Sequence, residues 1–231
     1  MAVINDPTTA ANIQRIGMAS GMVWTPGHVA SGPLPVGNGG AYRLSMQSGT
    51  MAVSLGANAE LFQFRYVTGA SRVCLVHGIS ISSSANVAAT AAALLAYRAT
   101  IARAWTAAGS GGTRASLIGN LQKLSTGHAT SEVNDAGIST TAGLTAGTKT
   151  LDTQDIGSVA FSALTGAITV ATNGILVPKT NLLGDFGGTL AFPLILGNQE
   201  GFVIRTGANA HPAGMTWNFA VDVAWSEVDG F

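Results

Sequence analysis

The sequence predicts an all-β protein: a jelly-roll-like antiparallel sandwich over residues 41–231, preceded by an extended N-terminal arm over residues 1–40. Three observations carry this. Trp217, Phe219, Val221, Val223 and Trp225 alternate with Asn218, Ala220, Asp222 and Ala224, the period of a strand with one buried face. Similar alternation recurs from residue 41 onward, between loops rich in Gly, Ser, Thr and Asn. The arm differs in kind, holding Pro7, Pro26, Pro33 and Pro35, four of the seven prolines.

Proline and glycine at that density oppose continuous helix or strand. Ile13, Ile16, Met22, Val23 and Trp24 nevertheless give the arm apolar positions that can pack on its own domain or on a neighbour. A short helix over Thr8–Ile16 is compatible with Thr8 or Thr9 as its cap. Period two then begins, with Tyr42, Leu44 and Met46 against Arg43, Ser45 and Gln47. Met51, Val53 and Leu55 repeat the pattern, as do Phe62, Phe64 and Tyr66. Val73, Leu75, Ile79 and Ile81 share one face under strict alternation, with His77 among them. The Ala/Leu-rich stretch from Val87 to Leu95 suits helix or strand. From Ala96 the pattern Tyr97, Ala99, Ile101 favours a strand ending at Trp105. Gly109–Gly112 reads as a turn. Short strands are expected around Ala115–Leu124, Thr148–Ile156 and Ala167–Val170. Leu190–Leu196 and Phe202–Thr206 read as a hairpin, with Pro193 at an edge or a bulge. At least eight strands result, the number a jelly roll needs.

Composition bounds the function. Charged residues make up only 10% of the 231, against about 25% in soluble domains generally. Monomers use surface charge to stay apart, so sparse charge points to a surface covered by protein, in an oligomer or a lattice. Eleven basic and eleven acidic residues cancel, and no two basic residues are adjacent. Nucleic acid is therefore not an expected partner, since its recognition concentrates cations. No run of about 18 apolar residues suggests a membrane span. The opening Met1–Pro7 lacks a basic and an apolar region of leader length, so synthesis and assembly in a cytoplasm are expected. Cys74, the single cysteine, reads as a small core residue.

The search for chemistry yields no catalytic, cofactor-binding or metal-binding residue, and no cofactor is expected. Gly109-Ser110-Gly111-Gly112-Thr113-Arg114 and Gly147-Thr148-Lys149-Thr150 both lack the Gly-Lys-Ser/Thr ending of a phosphate loop, and both read as turns. His28, His77, His128 and His211 share no ligand spacing. His77 reads as a hydrogen-bonded core imidazole, and His28 and His211 as surface-turn residues. Asp152 with Asp155, and Glu132 with Asp135, read as solvated loop acids rather than a Ca²⁺ site. Trp217 and Trp225 are expected in the core. Trp24 and Trp105 are open to a role as a sugar platform.

Several segments resemble a family of virion structural proteins of tailed bacteriophages. The resemblance runs through Asn5–Asn12, Gly40–Ser45, Asn58–Arg65, Thr100–Trp105, Leu144–Thr148, Asn198–Arg205 and Trp225–Val228, covering most of the chain in order. These are turn and strand signatures, and they carry over no functional residue. The resemblance implies a non-enzymatic component of the virion, chiefly a decoration or cement subunit on the head. Its expected partners are copies of itself, a trimer being one order this allows, and the major capsid protein. The alternatives are the capsid shell, a tail or fibre component, or a glycan-binding receptor module using loops between 106 and 180.

Overall fold

The computed structural model describes residues 40–51, 55–69, 72–115, 123–163, 165–166, 174–183 and 193–229. The arm, the helix over Thr8–Ile16, His28, Trp24 and the strand at Ala167–Val170 lie outside them, as does most of the segment Ala115–Leu124.

Eleven strands and no helix occur among the described residues: β1 (Gly40–Gln47), β2 (Glu60–Tyr66), β3 (Arg72–Val87), β4 (Leu94–Ala107), β5 (Thr113–Arg114), β6 (Val133–Ile138), β7 (Thr148–Ser162), β8 (Ile175–Asn181), β9 (Leu194–Leu196), β10 (Glu200–Thr206) and β11 (Thr216–Asp229). They form two antiparallel sheets. The first has the order β1-β11-β3-β8, with β9 beside the other half of β3; the second has the order β5-β6-β2-β10-β4-β7.

The pairing follows one rule. β1 pairs with β11, β2 with β10, β3 with β8 and β4 with β7. The chain behaves as one long hairpin, doubled back between β4 and β7 and then rolled so that β11 meets β3 and β10 meets β4. That winding is a jelly roll, and rolling closes the core without a disulfide. β5 and β6 are an insertion at the hairpin bend that widens the second sheet.

The closing strand β11 anchors both ends of the core. Its inward residues from Trp217 to Trp225 are all buried, and the residues between them are half-buried. Trp225 stacks on Tyr42 at 5.4 Å and meets Phe64 edge-on at 5.2 Å, while Phe64 stacks on Phe202. At the other end Trp217 stacks on Tyr97, which also packs on Phe161 and Phe219. Each such ring pair adds about 0.5–1.5 kcal/mol beyond its buried area.

Several expectations need correction, and those for β3 and β4 trace to local irregularities in the strands. In β3, Ala224 faces Gly78 while Trp225 faces Val76, so His77 is the extra residue of a bulge. One extra residue exchanges faces. Cys74 and Val76 therefore join Ile79 and Ile81 in the core, while Leu75, still buried, and His77 turn to the outer face, where His77 Nε2 bonds Ser226 Oγ at 2.8 Å. In β4, Ala104 takes a left-handed φ of 48°, uncommon for alanine. The backbone turns Trp105 onto the outer face with Ala102 and Val203.

β9 and β10 do not form a hairpin. β9 pairs with β3 in one sheet, whereas β10 lies between β2 and β4 in the other. Alternation fixes which face a strand buries, but not which edge it joins. Met51 makes only an isolated bridge to Trp217, and Leu55 lies outside any strand. β7 is longer than expected, and alternation does not mark β6 or β8, which are short and carry no clean period.

Candidate functional site

A dense polar cluster among the described residues lies on the outer face of the second sheet, beneath a cover formed by residues 106–112 and 139–149. β2 places Gln63 in the middle of this face, beside Gly137 of β6 and Val203 of β10. Gln63 is fully buried and Glu60 is 7% exposed. Lys149, at the start of β7, reaches in with a side chain only 2% exposed.

The geometry is closely specified. Lys149 Nζ donates to Glu60 Oε2 at 2.8 Å, and Gln63 Nε2 donates to the same oxygen at 2.6 Å. Gln63 Nε2 also donates to the Thr145 carbonyl at 2.7 Å, and Lys149 to the Ala146 carbonyl. Arg114 Nη1 donates to Gln63 Oε1 at 3.2 Å and to Asp135 Oδ2 at 2.7 Å. The ammonium of Lys149 lies 4.5 Å from the centre of the Trp105 ring, a cation–π contact strengthened by desolvation. Burial pushes the Lys149 amine down and the Asp135 carboxyl up, as expected when charged forms lose water.

Two glycines make room for this cluster. A Cβ on Gly137 would stand 2.3 Å from Arg114 Nη1, so the guanidinium crosses the strand where no side chain exists. A Cβ on Gly109 would stand 1.9 Å from the Thr145 carbonyl oxygen and 2.6 Å from Gln63 Nε2. Arg65 secures the cover by donating to the carbonyls of Trp105 and Thr106 and to Asn134 Oδ1.

A second ionic group lies further along the same face. Arg98 and Arg205 are direct cross-strand neighbours, a repulsive arrangement by itself. Asp155 neutralises both, at 3.3 and 3.2 Å, and accepts from Thr100 Oγ1 at 2.5 Å. These donors outweigh its burial and hold the Asp155 carboxyl below the usual range. Arg103 pairs with Asp152 and Glu200.

The first sheet presents a different outer surface. Ser45 and Gln47 on β1, Ser80, Ser82 and Ser84 on β3, and Ala220 and Ala224 on β11 form a field of short neutral side chains. Among the described residues, the charges on it are Arg43 and the Lys179–Asp222 pair. A shallow cleft of about 230 Å³ opens there, lined in part by Gln47, Ser82, Ser84, Ile175, Lys179 and Asn218.

The structure separates or reassigns the residues singled out from the sequence. Asp152 and Asp155 lie on β7 with separate arginine partners, so they are not free loop acids. Asp135 pairs with Arg114, and Glu132 lies 3.5 Å from Arg72. His211 is not in a surface turn. It is 3% exposed, packed edge-on against Trp217 at 4.5 Å, and neither ring nitrogen has a hydrogen-bond partner. His128 holds the edge of β1, with Nδ1 3.1 Å from the Ala41 amide. Cys74 is buried, as expected. Trp105, Trp217 and Trp225 are fully buried, so a sugar platform would have to use other side chains.

Sequence reasoning missed the Glu60–Gln63–Lys149–Arg114 cluster. Its members come from three distant segments, and each reads locally as a strand or turn polar residue. No group of three metal-ligating side chains occurs among the described residues. No family model, curated protein or solved structure matches the chain.

Proposed function

We propose that the chain is a structural subunit of a tailed-phage particle, a decoration or cement protein bound to the outside of the head and performing no turnover chemistry. The observation that carries this reading is the nearly uncharged outer face of the β1-β11-β3-β8 sheet on a rigid jelly-roll body. Short neutral side chains lose little rotamer entropy when covered, and a flat face without buried charge costs little to desolvate. The segment resemblance to virion proteins and the 10% charge content point the same way.

In this reading the partners are further copies of the chain and the major capsid protein, and the place of action is the virion. The apolar positions of residues 1–40 bury surface on a neighbour at roughly 25 cal/mol per Å². Repetition by symmetry converts weak contacts into avidity.

The test is particle reconstitution with full-length protein and with a deletion of residues 2–30. The deletion is expected to fold normally and to occupy capsids more weakly. Unchanged capsid affinity would remove the arm from the mechanism. A cryo-EM map of the particle locates the subunit: many copies on the head lattice fit decoration, whereas a few copies at the tail overturn it.

A further inference from the structure

We propose that Lys149 and Gln63 join in an intramolecular amide cross-link, with Glu60 moving the proton and Arg114 holding the carbonyl oxygen. The proposal is independent of the role on a particle.

A single oxygen, Glu60 Oε2, accepts from both the amine that would attack and the amide nitrogen that would leave. A carboxylate placed in this way can take a proton from the nucleophile and deliver it to the leaving group. The third substituent of the carboxamide is also placed. Gln63 Oε1 faces Arg114 Nη1, where negative charge would grow on attack. Arg114 Nη2 is buried without a partner, a second donor on the same guanidinium. Donors arranged before reaction around a developing oxyanion are the largest common contribution to acyl transfer.

Surroundings favour the same step. Gln63 and Lys149 are almost fully buried beneath the cover, so water is kept from competing for the carbonyl. The Trp105 ring and the Ala146 carbonyl hold the lysine in place. Burial also lowers the amine's basicity, easing formation of the neutral nucleophile. As a plain ion pair the same group would gain little over an apolar replacement.

The step balances without a co-reactant. Glu60 takes a proton from the Lys149 ammonium, and the Nζ lone pair forms a bond to Gln63 Cδ. The carbonyl oxygen carries the negative charge against Arg114. The bond from Cδ to Nε2 then breaks as Glu60 returns its proton to the departing nitrogen. Glu60 next takes the second proton from the cationic Nζ, giving the neutral amide, and passes it to the released ammonia, which leaves as ammonium. A primary carboxamide and an ammonium become a secondary amide and ammonium, with no change in oxidation state. The product would tie the start of the edge strand β7 to the central strand β2.

Intact-mass spectrometry of the purified full-length protein, with peptide mapping, tests this. The wild type is expected to be lighter than its sequence mass by one ammonia, about 17 Da. Its tryptic digest should link peptide Leu44–Arg65 to peptide Leu124–Lys179, uncleaved after Lys149. Lys149→Arg and Glu60→Gln should restore the full mass, and Arg114→Lys should leave a mixture. The wild-type measurement stands alone if a variant fails to fold. Recovery of Gln63 and Lys149 in separate peptides from the folded wild type, whether at full mass or with ammonia lost elsewhere, overturns the proposal.

Discussion

The two outer faces of the sandwich solve the same problem in opposite ways. Both lie across a sheet whose inner face contributes the aromatic and aliphatic core. The face of β1-β11-β3-β8 is made largely of serine, alanine, asparagine and glutamine, with little charge; its centre at Ser80, Ser82, Ser84 and Ala220 is half-exposed, and Leu75 and Ser226 toward one end are buried. The face of β2-β10-β4-β7 collects arginine, lysine and acid, and the chain covers it with its own loops until Gln63, Val203 and Trp105 are buried. A covered charged face must satisfy its donors internally. An uncovered neutral face has no such need and can be matched by a flat partner. The charge in this low-charge chain is thus spent largely on internal structure.

The strongest way to break this contrast is Trp105→Ala. Trp105 is the centre of the small outer core with Ala102 and Val203, and it carries the Lys149 ammonium on its ring. Its loss leaves a cavity and an uncovered buried cation, at a cost of about 3–5 kcal/mol. For a domain of this size that is a fall in Tm on the order of 10 °C, readable by thermal unfolding. Ser82→Ala on the opposite face is expected to change stability by less than about 0.5 kcal/mol. Equal effects from the two substitutions would erase the distinction between the faces.

The interior between the faces supplies a pH test. His211 is buried without a partner, and burial pulls its imidazole down to about 4 from an ordinary 6.5. Above pH 6.5 both folded and unfolded imidazoles are neutral, and the full stability is present. Between 6.5 and about 4 only the unfolded chain takes the proton, so stability falls with pH, by about 3 kcal/mol in all. His211→Phe keeps the edge-on packing on Trp217 and removes two unpaired nitrogens. It should leave stability at pH 7 unchanged or raised and flatten this acid limb in urea titrations. Asp155 acts in a lower window. Its depressed carboxyl contributes stability present above 3.8 and lost below it, so Asp155→Asn should lower stability above pH 4, where Arg98 and Arg205 lose their shared carboxylate, and remove this part of the fall below it. Burial also lowers the His77 imidazole, so a smaller fall should remain; an unfolding curve for His211→Phe that falls between pH 6.5 and 4 as steeply as the wild type would move the titration to another group.

How much of this was legible in the sequence depends on the scale of the signal. The inward rows of β1, β2 and β11 follow from alternation alone, because each is a long run with a clean period. The faces of β3 and β4 were misread beyond His77 and Ala104, since a bulge adds a residue without a local marker; alanine gives no hint that it adopts positive φ. The jelly-roll winding emerges from strand number and length, but the separation of β9 from β10 depends on distant edges that no window contains. The Gln63 cluster was invisible for the same reason. Lys149 looked like a turn lysine, and Gln63 like the polar partner of two phenylalanines. What unites them is Gly137 and Gly109, whose missing side chains matter only once three segments meet.

The smallest effect on stability should carry the largest effect on association. Ala220 and Ser82 are direct cross-strand partners in the middle of the neutral face. Lysine at Ala220 projects from a half-buried position that already faces outward, so unfolding free energy should shift by no more than about 0.5 kcal/mol. If the face is covered by another subunit, that ammonium must be desolvated without a partner, a penalty of several kcal/mol per ion. Self-association or capsid occupancy should then fall by orders of magnitude while the monomer melts as before. Thr153→Lys on the exposed edge strand β7 is the control, since it adds the same charge away from the neutral face. Light scattering and capsid-binding titrations read both variants. If Ala220→Lys assembles as the wild type does, the neutral face meets water. The scarcity of charge would then be a property of the chain rather than of an interface. If only Ala220→Lys fails, short neutral side chains across three strands mark where the partner sits.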